Sequence, residues 1–190
     1  MTSGIRLTTL SASHADDAEL VSALSHLVNG VYEVAEQGLW EPQSARTTAE
    51  EVASLLRSGE ITAAFLDGEL VGCVRIHELS DRICEFGMLA AAPHRRGAGI
   101  GRELVRFAEA FAVEHGREIM QLELLVPREW SHPSKEFLTA WYTRIGYRPV
   151  RTGRLEESYP ALAVHLATPC DLVIHHKDLQ PQVRTASSST

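Results

Sequence analysis

The spacing of hydrophobic residues along the chain changes period several times, and each change marks an element. Residues 5–10, IRLTTL, predict a first strand. From His14 to about Trp40 the spacing is helical, with Leu20, Ala23, Leu24, Leu27 and Val31 on one stripe and Gly38 as its end. After the loop GLWEPQSAR, the segment TTAEEVASLLRSG predicts a second helix. Thr47 or Thr48 caps it, glutamates fill its first turn and Gly59 stops it. Two β-rich runs, ITAAFL and ELVGCVRIHEL, flank Asp67-Gly68, a strong hairpin signal. SDR turns the chain again into ICEFGMLAAAP. Beyond a glycine cluster, a helix to His115 turns Ile100, Leu104, Phe107, Ala108 and Phe111 inward, with Gly116 as its stop. IMQLELLVP predicts a strand. SHPSKEFLTAWYTRIG predicts a helix entered through Ser131 and Pro133 and ended by Gly146. YRPVRT reads as a short strand, LEESYPALAVHLA as a short or broken helix, and DLVIHHKDL as the last strand. This order, without repeat or linker, predicts one α/β (α+β) domain over residues 1–179 with a mixed, mostly antiparallel central sheet flanked by helices. The polar tail 180–190, QPQVRTASSST, is expected to be disordered.

Composition narrows the function classes. The 190 residues are 44% hydrophobic and 23% charged, an ordinary globular balance, and no apolar stretch approaches the length of a membrane span. MTSGIRLTTL lacks the features of a signal peptide. Three scattered cysteines, Cys73, Cys84 and Cys170, form no CxxC pair, which fits a reducing cytoplasm. Residues 1–80 carry 12 acidic and 4 basic side chains, residues 81–190 carry 13 and 14. An acidic first half disfavours nucleic acid as a partner and suits a cationic ligand. The adjacent His175 and His176 would point to opposite faces of a strand, a poor metal site, so no metal is expected.

The stretch APHRRGAGIGREL, residues 92–104, carries the densest chemistry. A dinucleotide fingerprint would need glycine or alanine where Leu104 or Arg102 stands, and a Walker loop would need Gly-Lys-Ser/Thr. Two readings stay open. Alternating glycines at 97, 99 and 101 can turn backbone N–H groups toward one anion at a helix start, or can simply let a helix pack tightly.

Arg96-Gly97-Ala98-Gly99-Ile100-Gly101 resembles the coenzyme A signature Arg/Gln-x-x-Gly-x-Gly/Ala of the GCN5-related N-acetyltransferases. Leu89-Ala90-Ala91-Ala92-Pro93 is similar to the family's upstream L-x-V-x-P, with alanine for valine. Trp141-Tyr142-Thr143-Arg144-Ile145-Gly146-Tyr147 fits its second motif, and the element order matches over roughly residues 5–179. The resemblance implies acetyl-CoA as cosubstrate and an amine acceptor: a small molecule, a lysine or an N-terminus. It implies coenzyme contacts from Leu89, Ala90, Ala91, Arg96, Gly97, Ala98, Gly99, Ile100, Gly101 and Arg102, with the Leu89 N–H on the thioester carbonyl.

The chemistry requires a base for the protonated amine, a donor for the oxyanion and an acid for the thiolate. Glu85 stands where some members of the family keep a glutamate base, and strand parity puts it on one side with Gly87 and Leu89. Its alternatives are binding the substrate ammonium or a core ion pair. His77 and Glu123 are further candidates. The resemblance makes Tyr142 the acid, although it also belongs to an apolar stripe with Phe137, Leu138, Trp141 and Ile145. Ser134 and Lys135 could reach the coenzyme from the first turn of the same helix, but read rather as a solvated helix start. In the family the first helices wall the acceptor, which here offers Tyr32, Glu33, Glu36, Trp40, Glu41 and Arg46. An acidic wall suits a polyamine, aminosugar or lysine, whereas Arg46 would suit a carboxylate. With no cysteine near an evident base, direct transfer in a ternary complex is expected over an acetyl-cysteine. A non-catalytic acetyl-CoA sensor or subunit, a different acyl group and a homodimer all stay open.

Overall fold

The computed structural model describes residues 4–42 and 44–179; the predicted tail at 180–190 lies outside them. Seven strands make one sheet: β1 (Arg6–Thr9), β2 (Ile61–Leu66), β3 (Glu69–Glu78), β4 (Ile83–Ala91), β5 (Ile119–Pro127), β6 (Arg148–Arg154) and β7 (Cys170–Asp178). They lie in the order β1-β2-β3-β4-β5-β7-β6, and only the β4–β5 pair is parallel. The predicted hairpin forms around Asp67 and Gly68, both with positive φ, the twist a two-residue turn between right-handed strands requires.

Among the described residues six α-helices cover the sheet: α1 (Ala18–Ala35), α2 (Ala49–Arg57), α3 (Ile100–Glu114), α4 (Pro133–Arg144), α5 (Leu155–Ser158) and α6 (Pro160–Ala163). The first predicted helix starts later and ends earlier than its periodicity suggests. A short 3-10 turn, Ala12–Asp16, precedes it, and Asp17 caps α1 by accepting from the Leu20 N–H at 3.1 Å. Thr48 caps α2 in the same way through the Glu51 N–H. The predicted broken helix is two single turns, α5 and α6, interrupted at Tyr159-Pro160.

Strand alternation sends side chains to two faces. On one, Val74, Phe86, Met120, Leu122 and Tyr147 pack with Leu104 and Ala108 of α3. On the other, Ile61, Ala63, Cys73 and Ala90 pack with Leu24 and Val28 of α1 and Val52 and Leu56 of α2. A smaller cluster of Leu39, Leu125, Leu155 and Leu172 closes the β5–β7 end of that second face. Each fully buried leucine among them contributes roughly 1.5–3 kcal/mol. Gly72 lets α3 sit directly on β3. A Cβ there would meet the Ile100 Cγ2 at 2.6 Å and the Ala90 carbonyl at 3.0 Å.

One irregularity shapes the molecule. Between β3 and β4 the register slips: Arg75 faces Gly87 but Cys73 faces Ala90, so β4 uses one residue more than its partner. That bulge centres on Met88, whose φ is +49°. Alternation resumes one residue out of phase. Gly87 shares the α1 face with Glu85, but Leu89 turns to the α3 face, where it packs on that core. The expectation that Glu85, Gly87 and Leu89 share a side thus fails at Leu89, because an extra residue leaves no trace in strand parity. β4 also leaves β5: the two are paired only over Ile83–Glu85 with Ile119–Gln121.

Candidate active site

Where β4 and β5 part, a cleft of about 1160 Å³ runs between them and is lined from both faces of the sheet. Phe86, Leu122, Trp141 and Tyr142 line it from the α3–α4 side; Tyr32, His77, Glu85 and Glu123 line it from the α1 side. Glu36, Trp40, Leu89, Ala91, Arg96, Gly97, Gly99, Ile100, Gly101 and Arg102 also line it. Of the coenzyme contacts that the resemblance implies, Ala90 and Ala98 do not, and Ala90 is buried in the α1 core.

Glu85 sits at the last rung before the strands separate. A single row of the sheet reads His77, Glu85, Gln121, His176 and Arg148 across β3, β4, β5, β7 and β6. Gln121 Nε2 donates to Glu85 Oε2 at 2.6 Å, and His176 Nε2 lies 2.8 Å from Gln121 Oε1. With the amide oriented this way, His176 donates and holds it in place. The other Glu85 oxygen, Oε1, is 3.6 Å from His77 Nε2. Glu85 is 8% exposed. Burial, with Glu123 nearby, raises its pKa to about 7, while the Gln121 donor acts the other way. Burial lowers the pKa of His77, with Arg75 adding to the effect. A neutral His77 therefore faces a carboxyl group poised to exchange protons near neutrality.

Tyr142 occupies the opposite wall. Its ring packs on Trp141 at 4.9 Å, Tyr147 at 5.8 Å and Phe86 at 6.1 Å; of the predicted apolar stripe, Leu138, Trp141 and Ile145 join it on the α3 core, whereas Phe137 is exposed. Its hydroxyl has no hydrogen-bond partner among the described residues, and burial holds it protonated, with its pKa well above the usual tyrosine value. Tyr147, by contrast, donates to Glu109 at 2.9 Å and belongs to the core. Tyr32 reaches in from α1; burial raises its pKa, opposed by Arg46 and by the Leu89 backbone N–H at its hydroxyl.

The predicted acidic wall does not assemble: of its glutamates only Glu36 lines the cleft, and it is paired within the fold. Glu36 is buried, accepting from Lys135 Nζ at 2.5 Å and from Trp40 Nε1 at 2.6 Å. Lys135 is thus buried at 4% exposure, against the expectation of a solvated helix start. Glu33 and Glu41 are exposed and lie off the cleft. Glu123 accepts from the Tyr159 hydroxyl at 2.7 Å. His132 caps α4, accepting from the Ser134 N–H at 3.2 Å, and its other ring nitrogen lies 3.1 Å from the Gln37 carbonyl. It is a packed loop residue beneath Trp130.

At the far end, Gly97 and Gly99 both take left-handed conformations, with φ of +89° and +81°. Gly99 is the N-cap of α3, so the first N–H groups of that helix stay unpaired and point at the loop. Arg95 is drawn aside by Glu69 at 2.6 Å, leaving Arg96 without a carboxylate partner among the described residues. Gly101 has an ordinary φ, and a Cβ there would meet nothing closer than Trp141 at 3.9 Å. The fold itself does not require glycine at 101.

Residues 25–147 match the family model described as the acetyltransferase (GNAT) family. The chain belongs to the GNAT acetyltransferase family. Comparison with curated proteins returned no match. Among solved structures, the chain is similar to the PaiA N-acetyltransferase of Thermoplasma acidophilum in complex with coenzyme A. The TM-score is 0.68 at 14% identity, covering 92% of this chain and 99% of that one. An aminoglycoside 6'-N-acetyltransferase complexed with coenzyme A gives 0.68 at 17% identity over 93% and 98%. The Escherichia coli ribosomal-protein-S18-alanine N-acetyltransferase gives 0.61 at 16% identity over 93% and 94%. At such identities the likeness is one of fold.

Within this GNAT fold, sequence reasoning missed Gln121 and His176. Neither belongs to a motif, and they lie 36 residues from Glu85 and 55 from Gln121 respectively. Only the strand order brings them together. The family match ends at Tyr147, so His176 lies outside it.

Proposed function

We propose that this GNAT protein transfers the acetyl group of acetyl-CoA to an amine by direct attack within a ternary complex. The observation that carries this reading is the parting of β4 and β5, with a buried carboxyl group on one side and an unpaired tyrosine hydroxyl on the other. Structural neighbours that hold coenzyme A support the choice of cosubstrate. The N-terminus of α3, Gly97, Gly99 and Arg96 form the cradle for its diphosphate, and Gly101 leaves room for close approach. Arg102, partnered only loosely by Glu103 at 3.7 Å, adds positive charge there.

In this reading, Glu85 accepts a proton from the acceptor ammonium through a water, leaving a neutral amine. The amine nitrogen bonds to the thioester carbon, and the Leu89 N–H, which lies at the Tyr32 hydroxyl in the free protein, exchanges that partner for the oxyanion. The carbon–sulfur bond then breaks, Tyr142 gives its proton to the departing thiolate, and the surplus proton on the new amide nitrogen passes through cleft water back to the tyrosinate. Glu123, His77, Tyr32, Glu36 and Trp40 shape the acceptor half of the cleft.

Thiol release from acetyl-CoA with a panel of amines, amino acids and peptides tests the proposal in wild type, Glu85→Gln and Tyr142→Phe. Turnover with at least one acceptor is expected, falling about 10²- to 10⁴-fold in each variant. Equal rates in all three proteins would remove the acid and base roles. Tight acetyl-CoA binding without turnover on any acceptor would favour a sensor.

A further inference from the structure

Five arginines line the cleft: Arg46, Arg75, Arg95, Arg96 and Arg102. Three have carboxylates of their own: Arg75 with Glu60 at 2.6 Å, Arg95 with Glu69 at 2.6 Å and Arg102 with Glu103 at 3.7 Å. Among the described residues, Arg46 and Arg96 have none. Arg96 belongs to the glycine loop. Arg46 lies on the α1 wall, with its guanidinium carbon 5.3 Å from the centre of the Tyr32 ring.

The fold holds Arg46 firmly. Asn29 Oδ1 of α1 accepts from the N–H groups of Arg46 and Thr47 at 2.9 and 3.0 Å, and Asn29 Nδ2 donates to the Thr47 carbonyl at 3.0 Å. The side chain packs over an aromatic face, which limits its rotamers and lowers the entropy lost on binding. Its Nε is buried without a hydrogen-bond partner. That nitrogen has lost water and gained no acceptor, and the guanidinium has no paired carboxylate, an imbalance a bound anion would relieve.

Among the described residues no carboxylate pairs with it, and each neighbouring one is held elsewhere. Glu36 is taken by Lys135 and Trp40, Glu51 accepts from the Thr47 hydroxyl at 2.8 Å, and Glu123 accepts from Tyr159. We propose that Arg46 binds a carboxylate of the acceptor, which makes the acceptor an amino-acid-like amine and not a polyamine or aminosugar. This rests on reading the cleft as an acetyl-transfer site. One guanidinium fork matches one carboxylate. A phosphate dianion would call for a second cation, and of the other arginines lining the cleft Arg75, Arg95 and Arg102 are already paired while Arg96 belongs to the glycine loop.

The test compares L-amino acids, β- and γ-amino acids, their carboxamides and spermidine as acceptors, by thiol release from acetyl-CoA. Calorimetry of the same compounds on the coenzyme A complex gives a readout independent of turnover. Wild type is expected to favour at least one acid over its carboxamide by tenfold or more in kcat/KM. Arg46→Gln should lower that kcat/KM about 10- to 100-fold, mainly through KM, bring acid and amide within about threefold, and leave the KM for acetyl-CoA unchanged. Arg46→Lys, keeping charge without the fork, should recover part of the loss.

Equal use of acid and carboxamide, preference for spermidine, or an equal loss on both in Arg46→Gln would overturn the proposal. So would a shift confined to acetyl-CoA, or neither binding nor turnover of any acid. An acid that binds wild type but not Arg46→Gln, with no thiol released, would support the carboxylate site while refuting the transfer reaction.

Discussion

Glu85 shows how one burial sets both chemistry and stability. Its folded-state pKa of about 7 lies above the ordinary value of 4.5, so the folded protein holds that proton more tightly than the unfolded chain. The penalty for its charged form is absent below about 4.5 and complete above about 7, so stability falls as pH rises through that window. Glu85→Gln keeps an oxygen for the Gln121 amide and removes the charge. It should be more stable than wild type by roughly 2–3 kcal/mol at pH 8, with the gap closing below pH 4.5, as denaturant titrations would show. In the proposed reaction the basic form is the active one, so kcat/KM should rise with pH through about 7. Gln121→Leu removes the one side-chain donor that favours the charged carboxyl, and should move that rise upward by about one pH unit. An unmoved limb would leave Gln121 a packing role only. His176→Phe should move it the same way by less, because His176 acts through Gln121.

At the scale of elements, the glycine loop separates two reasons for glycine. Gly97 and Gly99 need left-handed backbone and Gly72 needs space beneath α3, so all three are fixed by the fold. Gly101 is not. Gly101→Ala should leave stability unchanged or raise it by up to about 1 kcal/mol through helix propensity, yet weaken acetyl-CoA binding, measurable by calorimetry. Gly72→Ala should cost about 1–3 kcal/mol by pushing Ile100 off the sheet. The loop was legible in the sequence because its chemistry is local: charge, glycines and a helix start within ten residues. The bulge at Met88 was not legible, since strand alternation carries no mark of one extra residue. The Glu85–Gln121–His176 row was equally hidden, because strand order, not spacing, creates it. Lys135 looked solvated for the same reason: its partner Glu36 lies 99 residues away.

For the whole molecule, the sheet is an interrupted wall with a passage through it. The glycine loop and Tyr142 stand at one side, and Glu85 with the α1 residues stands at the other. In the proposed reaction that layout brings two substrates together without asking the protein to bond to either. The cysteines agree with this. All three are buried, and burial first of all raises Cys73 to about 12 and Cys84 and Cys170 to about 11, keeping them as thiols. None is poised as a nucleophile. Among the described residues no group of three His, Cys, Asp or Glu side chains is placed to hold a metal ion, and no helix is long and apolar enough to cross a membrane. The most direct measurement is the intact mass of the protein after acetyl-CoA alone, followed by the masses of protein and amine after an acceptor is added. The expected result is unmodified protein at both stages and an acetylated amine at the second. An acetyl-protein that forms first and then disappears as the amine is acetylated would contradict direct transfer.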